Sequence, residues 1–289
     1  MNSVATNSLS TWIAGARPRT LPAAIAPVVV ATALAGRDSQ VLPALLALIV
    51  SLALQVGVNY ANDYSDGIRG TDNDRIGPMR ITASGLATPK QVRSAAFFSF
   101  AVAAFAGLAL AISTSWWLIA VGALSIAAAW GYTGGKNPYG YLGLGELFVF
   151  IFFGLVATIG TYYVQTDLIS GQSILAGTIL GLLACAILVI NNIRDRAKDE
   201  VVGKRTLAVR LGDRRSRILY SALVIAPYFL TIGFRSPWTA LTLLTLPLTV
   251  SILRGIWSGL EGGALIALLG KTGKLQMFFS LTLSLALII

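Results

Sequence analysis

A chain of 289 residues in which 55% of side chains are hydrophobic, only 12% are charged, and the mean hydropathy is +0.74 cannot cover itself with polar surface; soluble domains carry about 25% charged residues. The formal net charge of +10 does not point to nucleic acid, because the basic residues are interleaved with long apolar runs instead of lying on one soluble face. Histidine is absent and Cys185 stands alone, which excludes His-ligated haem, His-based zinc sites and an intrachain disulfide.

Uncharged stretches of roughly 20 residues, the length that crosses a bilayer, define the elements in chain order. The first, Thr20–Gly36, follows Arg17 and Arg19. Pro22 and Pro27 inside it, and the long lead before it, argue for a retained span over a cleaved signal peptide. Ser39–Asn62 comes second. Ser94–Gly135 is too long for one crossing and divides near Ser113-Thr114-Ser115, where Trp116 and Trp117 suit a membrane interface. Leu147–Thr166, Leu168–Ile193, Ile218–Phe234, Ser236–Leu253 and Leu275–Ile289 complete the set. The expected architecture is all-α: a polytopic membrane protein of about nine transmembrane helices around a central cavity, one domain spanning residues 1–289. Gly262–Lys274 reads as an amphipathic segment on the membrane surface, and the glycines along the spans read as points of close helix packing. With nine spans, every Lys and Arg except Arg37 and Arg235 falls on one side, and the positive-inside rule makes that side cytoplasmic, with the N-terminus.

Two acidic segments stand at equivalent helix ends on that side. Span 2 closes with Asn62-Asp63-Tyr64-Ser65-Asp66 and continues through Arg69 to Asp72; span 6 closes with Asn191-Asn192-Ile193-Arg194-Asp195 and continues to Asp199. Residues three and four apart share a helix face, so Asp63 and Asp66 project together beside Asn62, and Asn191, Asp195 and Asp199 form one stripe. Helix C-termini favour cations, and carboxylates clustered at a membrane boundary repel one another unless a cation joins them. Mg²⁺, held by one or two carboxylates together with substrate phosphates, meets that need. A solvated charged loop is the plain alternative for either segment alone; two matched segments at equivalent ends weigh against it, and acids at a membrane boundary are functional candidates. Basic residues complete the pattern: Arg69, Arg75 and Arg80 after the first segment, Lys204 and Arg205 after the second, and Lys136 alone after span 4. Arg forks and Lys point charges recognise diphosphate. Arg214, Arg215 and Arg217 read only as loop charges.

At these residues the chain resembles the UbiA superfamily of intramembrane aromatic prenyltransferases, which carries two Asp-rich motifs after the second and sixth of nine helices. Gly70 occupies the position of a third Asp in the first motif, with Asp72 two residues further on. That departure resembles the menaquinone branch of the superfamily. So do Ala16-Arg17-Pro18-Arg19-Thr20-Leu21-Pro22, Asp74-Arg75-Ile76-Gly77-Pro78, Tyr132-Thr133-Gly134-Gly135, the run from Tyr139 to Glu146, Gly160–Gln165, and the run from Gly203 to Gly212. The similarity covers most of the chain up to span 6 and thins beyond it.

The resemblance implies a bacterial cell-membrane enzyme of menaquinone biosynthesis that transfers the polyprenyl group of a polyprenyl diphosphate to 1,4-dihydroxy-2-naphthoate in the lipid bilayer, with loss of the ring carboxylate and with no nucleic-acid partner. It implies Mg²⁺ on Asp63, Asp66, Asp72, Asp195 and Asp199, with Asp66, Asp195 and Lys136 central to catalysis and Lys204 and Arg205 assisting. Substrate contacts are expected from Asn62, Arg69, Arg75, Arg80 and Asn191. Arg19 is the candidate for the acceptor's carboxylate. With histidine absent, the acceptor's hydroxyl proton falls to an Asp, a Tyr such as Tyr132 or Tyr141, or water, although both tyrosines also read as interface aromatics. Rival readings are the same chemistry on 4-hydroxybenzoate or homogentisate, and a cation-coupled transporter; transporter sites lie near the bilayer midplane, not at helix ends.

Overall fold

The computed structural model describes residues 9–71 and 79–289. Asp72 and Arg75 of the expected site lie outside the described residues. The described chain forms ten helices and no strand: α1 Leu9–Ala16, α2 Pro22–Ala35, α3 Val41–Ile68, α4 Pro89–Ser113, α5 Trp117–Gly131, α6 Gly145–Thr166, α7 Gly171–Val201, α8 Leu207–Phe234, α9 Pro237–Trp257 and α10 Leu265–Ile288. The ends follow local chemistry. Thr88 with Gln91 and Ser170 with Ser173 make reciprocal caps at the starts of α4 and α7. Pro22 occupies the first turn of α2, where a missing N–H costs nothing.

Among the described residues six helices are long and apolar enough to cross a membrane, and the α1–α2 pair, bent by 56°, brings the number to seven if it is one broken span. The sequence count of nine is reduced by this measure. α5 is apolar but short, and α10 carries Lys271 and Lys274 in its first half; these two helices occupy the remaining expected places. The chain is a multi-pass membrane protein. α10 also corrects the reading of Gly262–Lys274 as a surface segment. Leu265, Leu268, Leu269, Thr272 and Gly273 are buried, so this stretch is the first half of the last helix.

α7 is the central pillar, with 72% of its most apolar window buried, against 17% for α3. One core joins α7 to α8, α9 and α10 through Ile190, Tyr220, Ile252 and Leu275. Another joins α1, α3, α4 and α5 through Tyr60, Ala96, Phe100 and Ala129. Close helix approach at glycine holds where expected at some positions: a Cβ on Gly154 of α6 would lie 2.5 Å from Gly181 Cα on α7, and one on Gly57 would overlap the Phe100 ring. Residues 150–156 of α6 wind as a π-helix, which widens the turn where α6 crosses α7.

Arg217 departs from its reading as a loop charge. It is buried, pairs with Asp213 at 2.7 Å, and donates to the carbonyls of Ile256 and Leu260, fastening α8 to the end of α9.

Candidate functional site

Between the two helical groups lies a cavity of about 540 Å³. On α3 the polar residues Ser51, Gln55, Asn59, Asn62 and Asp66 recur three or four apart and all line it. α7 contributes Asn191, Asn192, Asp195, Lys198 and Asp199, so the two acidic segments meet at one end of a shared chamber. Away from that end the lining is mostly apolar, including Val50, Leu110, Leu118, Val121, Phe152 and Val164.

Asp66 is the hub. Its carboxylate accepts from the Tyr141 hydroxyl at 2.6 Å, and lies 3.1 Å from Lys204 Nζ and 3.8 Å from an Arg80 guanidinium nitrogen. The Tyr141 ring carries the Lys204 ammonium 4.7 Å from its centroid and the Arg69 guanidinium at 5.4 Å. Burial, and after it the charge of Asp66, push the Tyr141 phenol above its ordinary range, so it stays a donor at neutral pH. The turn bearing Tyr141 is stitched to the next loop, because the Arg205 amide donates to the Tyr141 carbonyl at 3.0 Å. Gly143 closes that turn with a φ of 75°, where a Cβ would also meet Arg210 at 2.9 Å.

Asp195 is held by its neighbour: Arg194 donates to both carboxylate oxygens, at 2.7 and 2.6 Å, from a buried position. Asn192 reaches instead to buried Glu146 at 2.9 Å, tying the start of α6 to α7. Asn62 accepts from the Thr133 hydroxyl at 2.7 Å.

Not every expected residue reaches the chamber. Asp63 is fully buried and accepts from the backbone amides of Ile81 and Thr82 at 3.0 and 2.9 Å, the geometry of a loop anchor; it is absent from the lining. Arg69 donates to the carbonyls of Thr133 and Gly135, bracing the turn after α5. Lys136 and Arg205 are exposed and outside the lining, because each projects from the rim of its loop. Of the three cations expected to assist at the diphosphate, Lys136, Lys204 and Arg205, it is Lys204 that stands beside Asp66. Arg19, Tyr132, Arg80, Asn191, Asp195 and Asp199 all line the cavity.

The structure adds residues that the sequence pattern did not single out. Lys198 lines the chamber, and its buried Nζ has no hydrogen-bond partner among the described residues. At the α1–α2 bend, Arg17 adopts a left-handed φ of 54° and donates to the Asn59 carbonyl at 3.3 Å. Gln55 and Asn59 converge on Thr20 Oγ1 at 3.0 and 3.2 Å. The signal in the sequence was polar residues spaced by four within an uncharged span.

The donor set fits Mg²⁺: only oxygen ligands face the chamber from Asp66, Asp195, Asp199, Asn62 and Asn191. Among the described residues no three acidic groups gather into a cage, which suits an ion that takes one or two carboxylates and completes its shell with water and phosphate.

Residues 24–282 match the UbiA prenyltransferase family. The chain is 49% identical over 284 residues to the 1,4-dihydroxy-2-naphthoate octaprenyltransferase of Mycobacterium tuberculosis, covering 97% of each. It is 39% identical to the enzyme of the same name from Escherichia coli, covering 91% of this chain and 90% of that one. Among solved structures, a UbiA homolog from Archaeoglobus fulgidus bound to GPP and Mg²⁺ superimposes with a TM-score of 0.64 at 16% identity, covering 96% of this chain and 99% of that one. That likeness is one of fold.

Proposed function

The chain belongs to the UbiA prenyltransferase family, and from that premise we propose that it transfers a polyprenyl group from polyprenyl diphosphate to 1,4-dihydroxy-2-naphthoate, with loss of the ring carboxylate as CO₂, to give demethylmenaquinol, the reduced form of demethylmenaquinone. The observation that carries this reading is the meeting of Asp66, Asp195 and Asp199 with Lys204, Arg80 and Lys198 at the polar end of a chamber whose remaining wall is mostly apolar.

The allylic C–O bond breaks, and its electron pair leaves with the diphosphate. Mg²⁺, when bound through Asp66, Asp195 and Asp199, supplies Lewis-acid neutralisation of that leaving charge. Lys204 and Arg80 bring further positive charge, and Tyr141 and Arg194 hold the Asp66 and Asp195 carboxylates in place. The isoprenoid tail lies along the apolar lining, where Phe148, Phe152 and Tyr139 present aromatic faces that exclude water from an allylic cation. Arg17 and Arg19 stand at the α1–α2 bend beside Gln55 and Asn59, a setting suited to an aromatic acid. The carboxylate departs as CO₂ and its bonding pair restores the aromatic ring, so no base is needed to remove a ring proton. The family similarity and the excess of Lys and Arg at the motif-bearing ends also support a bacterial cell membrane, with the site opening toward the cytoplasm.

The test is an acceptor swap with purified protein, Mg²⁺ and a polyprenyl diphosphate. Dihydroxynaphthoate should be prenylated in preference to 4-hydroxybenzoate and homogentisate; turnover with 4-hydroxybenzoate alone overturns the branch. Asp66→Ala and Asp195→Ala should each abolish turnover while the protein still inserts. Wild-type rates in both would falsify the diphosphate site.

A further inference from the structure

Glycine inside a helix is less favourable than alanine, because it loses more backbone freedom on folding, so each helical glycine calls for a reason. Positive φ accounts for none of Gly107, Gly122 and Gly160, which all have ordinary helical backbones. Close packing does not account for them either. A Cβ on Gly122 or Gly160 would have nothing within 4 Å, and one on Gly107 would make only an ordinary 3.9 Å contact with Val50. Gly57, Gly154 and Gly181 differ in that their Cβ positions are already filled by neighbouring helices.

What the three share is the chamber, whose wall includes all of them. They come from α4, α5 and α6, and they lie at one depth. Gly107 is about 9 Å from the end of α4, Gly160 about 9 Å from the end of α6, and Gly122 about 8 Å from the start of α5, at roughly 1.5 Å per residue. Along α3, Val50 at this level is about 24 Å from Asp66. Just beyond, Val28, Ala47, Leu110 and Val164 close into an apolar cluster, and Trp117 donates to the Tyr163 hydroxyl at 3.2 Å, joining α5 to α6.

We propose that Gly107, Gly122 and Gly160 form a collar at the apolar end of the chamber, and that the room they leave determines how well long isoprenoid tails are accepted. This rests on reading the chamber as the prenyl-donor site. A short tail ends before the collar; a long one must lie against it.

The experiment compares kcat/KM for geranyl, geranylgeranyl and octaprenyl diphosphates in wild type, Gly122→Leu and Gly160→Leu, all purified in lipid. The octaprenyl-to-geranyl ratio should fall about tenfold or more in each variant, because a side chain added to a packed apolar wall overlaps the tail that must lie against it. Gly270→Leu, in α10, also has open space at its Cβ but lies off the chamber wall, and it should leave the ratio unchanged. If the leucine variants do not accumulate, the double alanine variant Gly122→Ala with Gly160→Ala reads the same ratio, with a smaller fall of about threefold expected from the smaller overlap. An unaltered ratio in the folded collar variants, or an equal fall in Gly270→Leu, overturns the collar. Wild-type protein inactive with all three donors instead overturns the donor-site reading beneath it.

Discussion

Asp66 gathers a phenol, an ammonium and a guanidinium around one carboxylate in the polar end of the chamber. The Tyr141 hydroxyl is the neutral member of that set, and its burial keeps it protonated. Tyr141→Phe removes the donor but keeps the ring beneath Lys204, so kcat should drop about ten- to a hundredfold, as for a hydrogen bond to a charged group. Its thermal midpoint should stay near that of wild type; a large fall in stability with normal kcat would mark Tyr141 as a packing residue instead. Lys198 and Lys204 differ in their partners: Lys204 pairs with Asp66, whereas the buried Lys198 Nζ has no hydrogen-bond partner among the described residues. Lys198→Met should therefore raise KM for the diphosphate donor and weaken inhibition by inorganic diphosphate, without changing KM for the aromatic acid. Loss of affinity for the acid alone would move Lys198 to the acceptor.

At the scale of helices, glycine serves two opposite ends. Gly154 lets α6 lie on α7, and Gly154→Ala places a methyl 2.5 Å from Gly181 Cα; such overpacking should cost about 1–3 kcal/mol in detergent unfolding. Gly122→Ala meets open space, and the better helix propensity of alanine should leave stability unchanged or raise it by up to about 1 kcal/mol. Equal destabilisation by both would contradict the distinction between packed and cavity-facing glycines. Arg217 illustrates the electrostatic side of helix assembly. Arg217→Gln leaves Asp213 without its partner and strips a strong donor from two carbonyls, an expected loss of about 2–3 kcal/mol without a change in donor KM.

For the whole molecule, the decisive feature is that α3 and α7 bring their acidic ends to one chamber from opposite helical groups. The cavity lies between those groups, with a polar stripe of α3 and the acidic end of α7 both facing inward. Membrane orientation can be read by cysteine labelling, since the native Cys185 is buried and gives little background. Lys136→Cys and Ser39→Cys are both exposed positions. The first should react with an impermeant reagent only from the cytoplasmic face and the second only from outside; the reverse pattern rejects the proposed topology.

Much of this architecture is legible in the amino-acid sequence, and for physical reasons. Apolar runs without charge have no stable place in water, so composition alone determined a helical membrane protein, and the lopsided distribution of Lys and Arg is what supports the proposed orientation of its helices. The i, i+4 spacing of Asp and Asn likewise marked the ends of α3 and α7. Which side chains enter the chamber depended on loop geometry that spacing does not encode. Asp63 and Asp66 are three residues apart, yet one is turned to backbone amides and the other to the cavity. Lys136 stands alone in the sequence but at the rim in space, whereas Lys198 and Arg17, unremarkable among many basic residues, are aimed inward. The glycines divide in the same way, because whether a missing Cβ leaves a contact or an empty volume is decided by the neighbouring helix, which only the tertiary structure supplies.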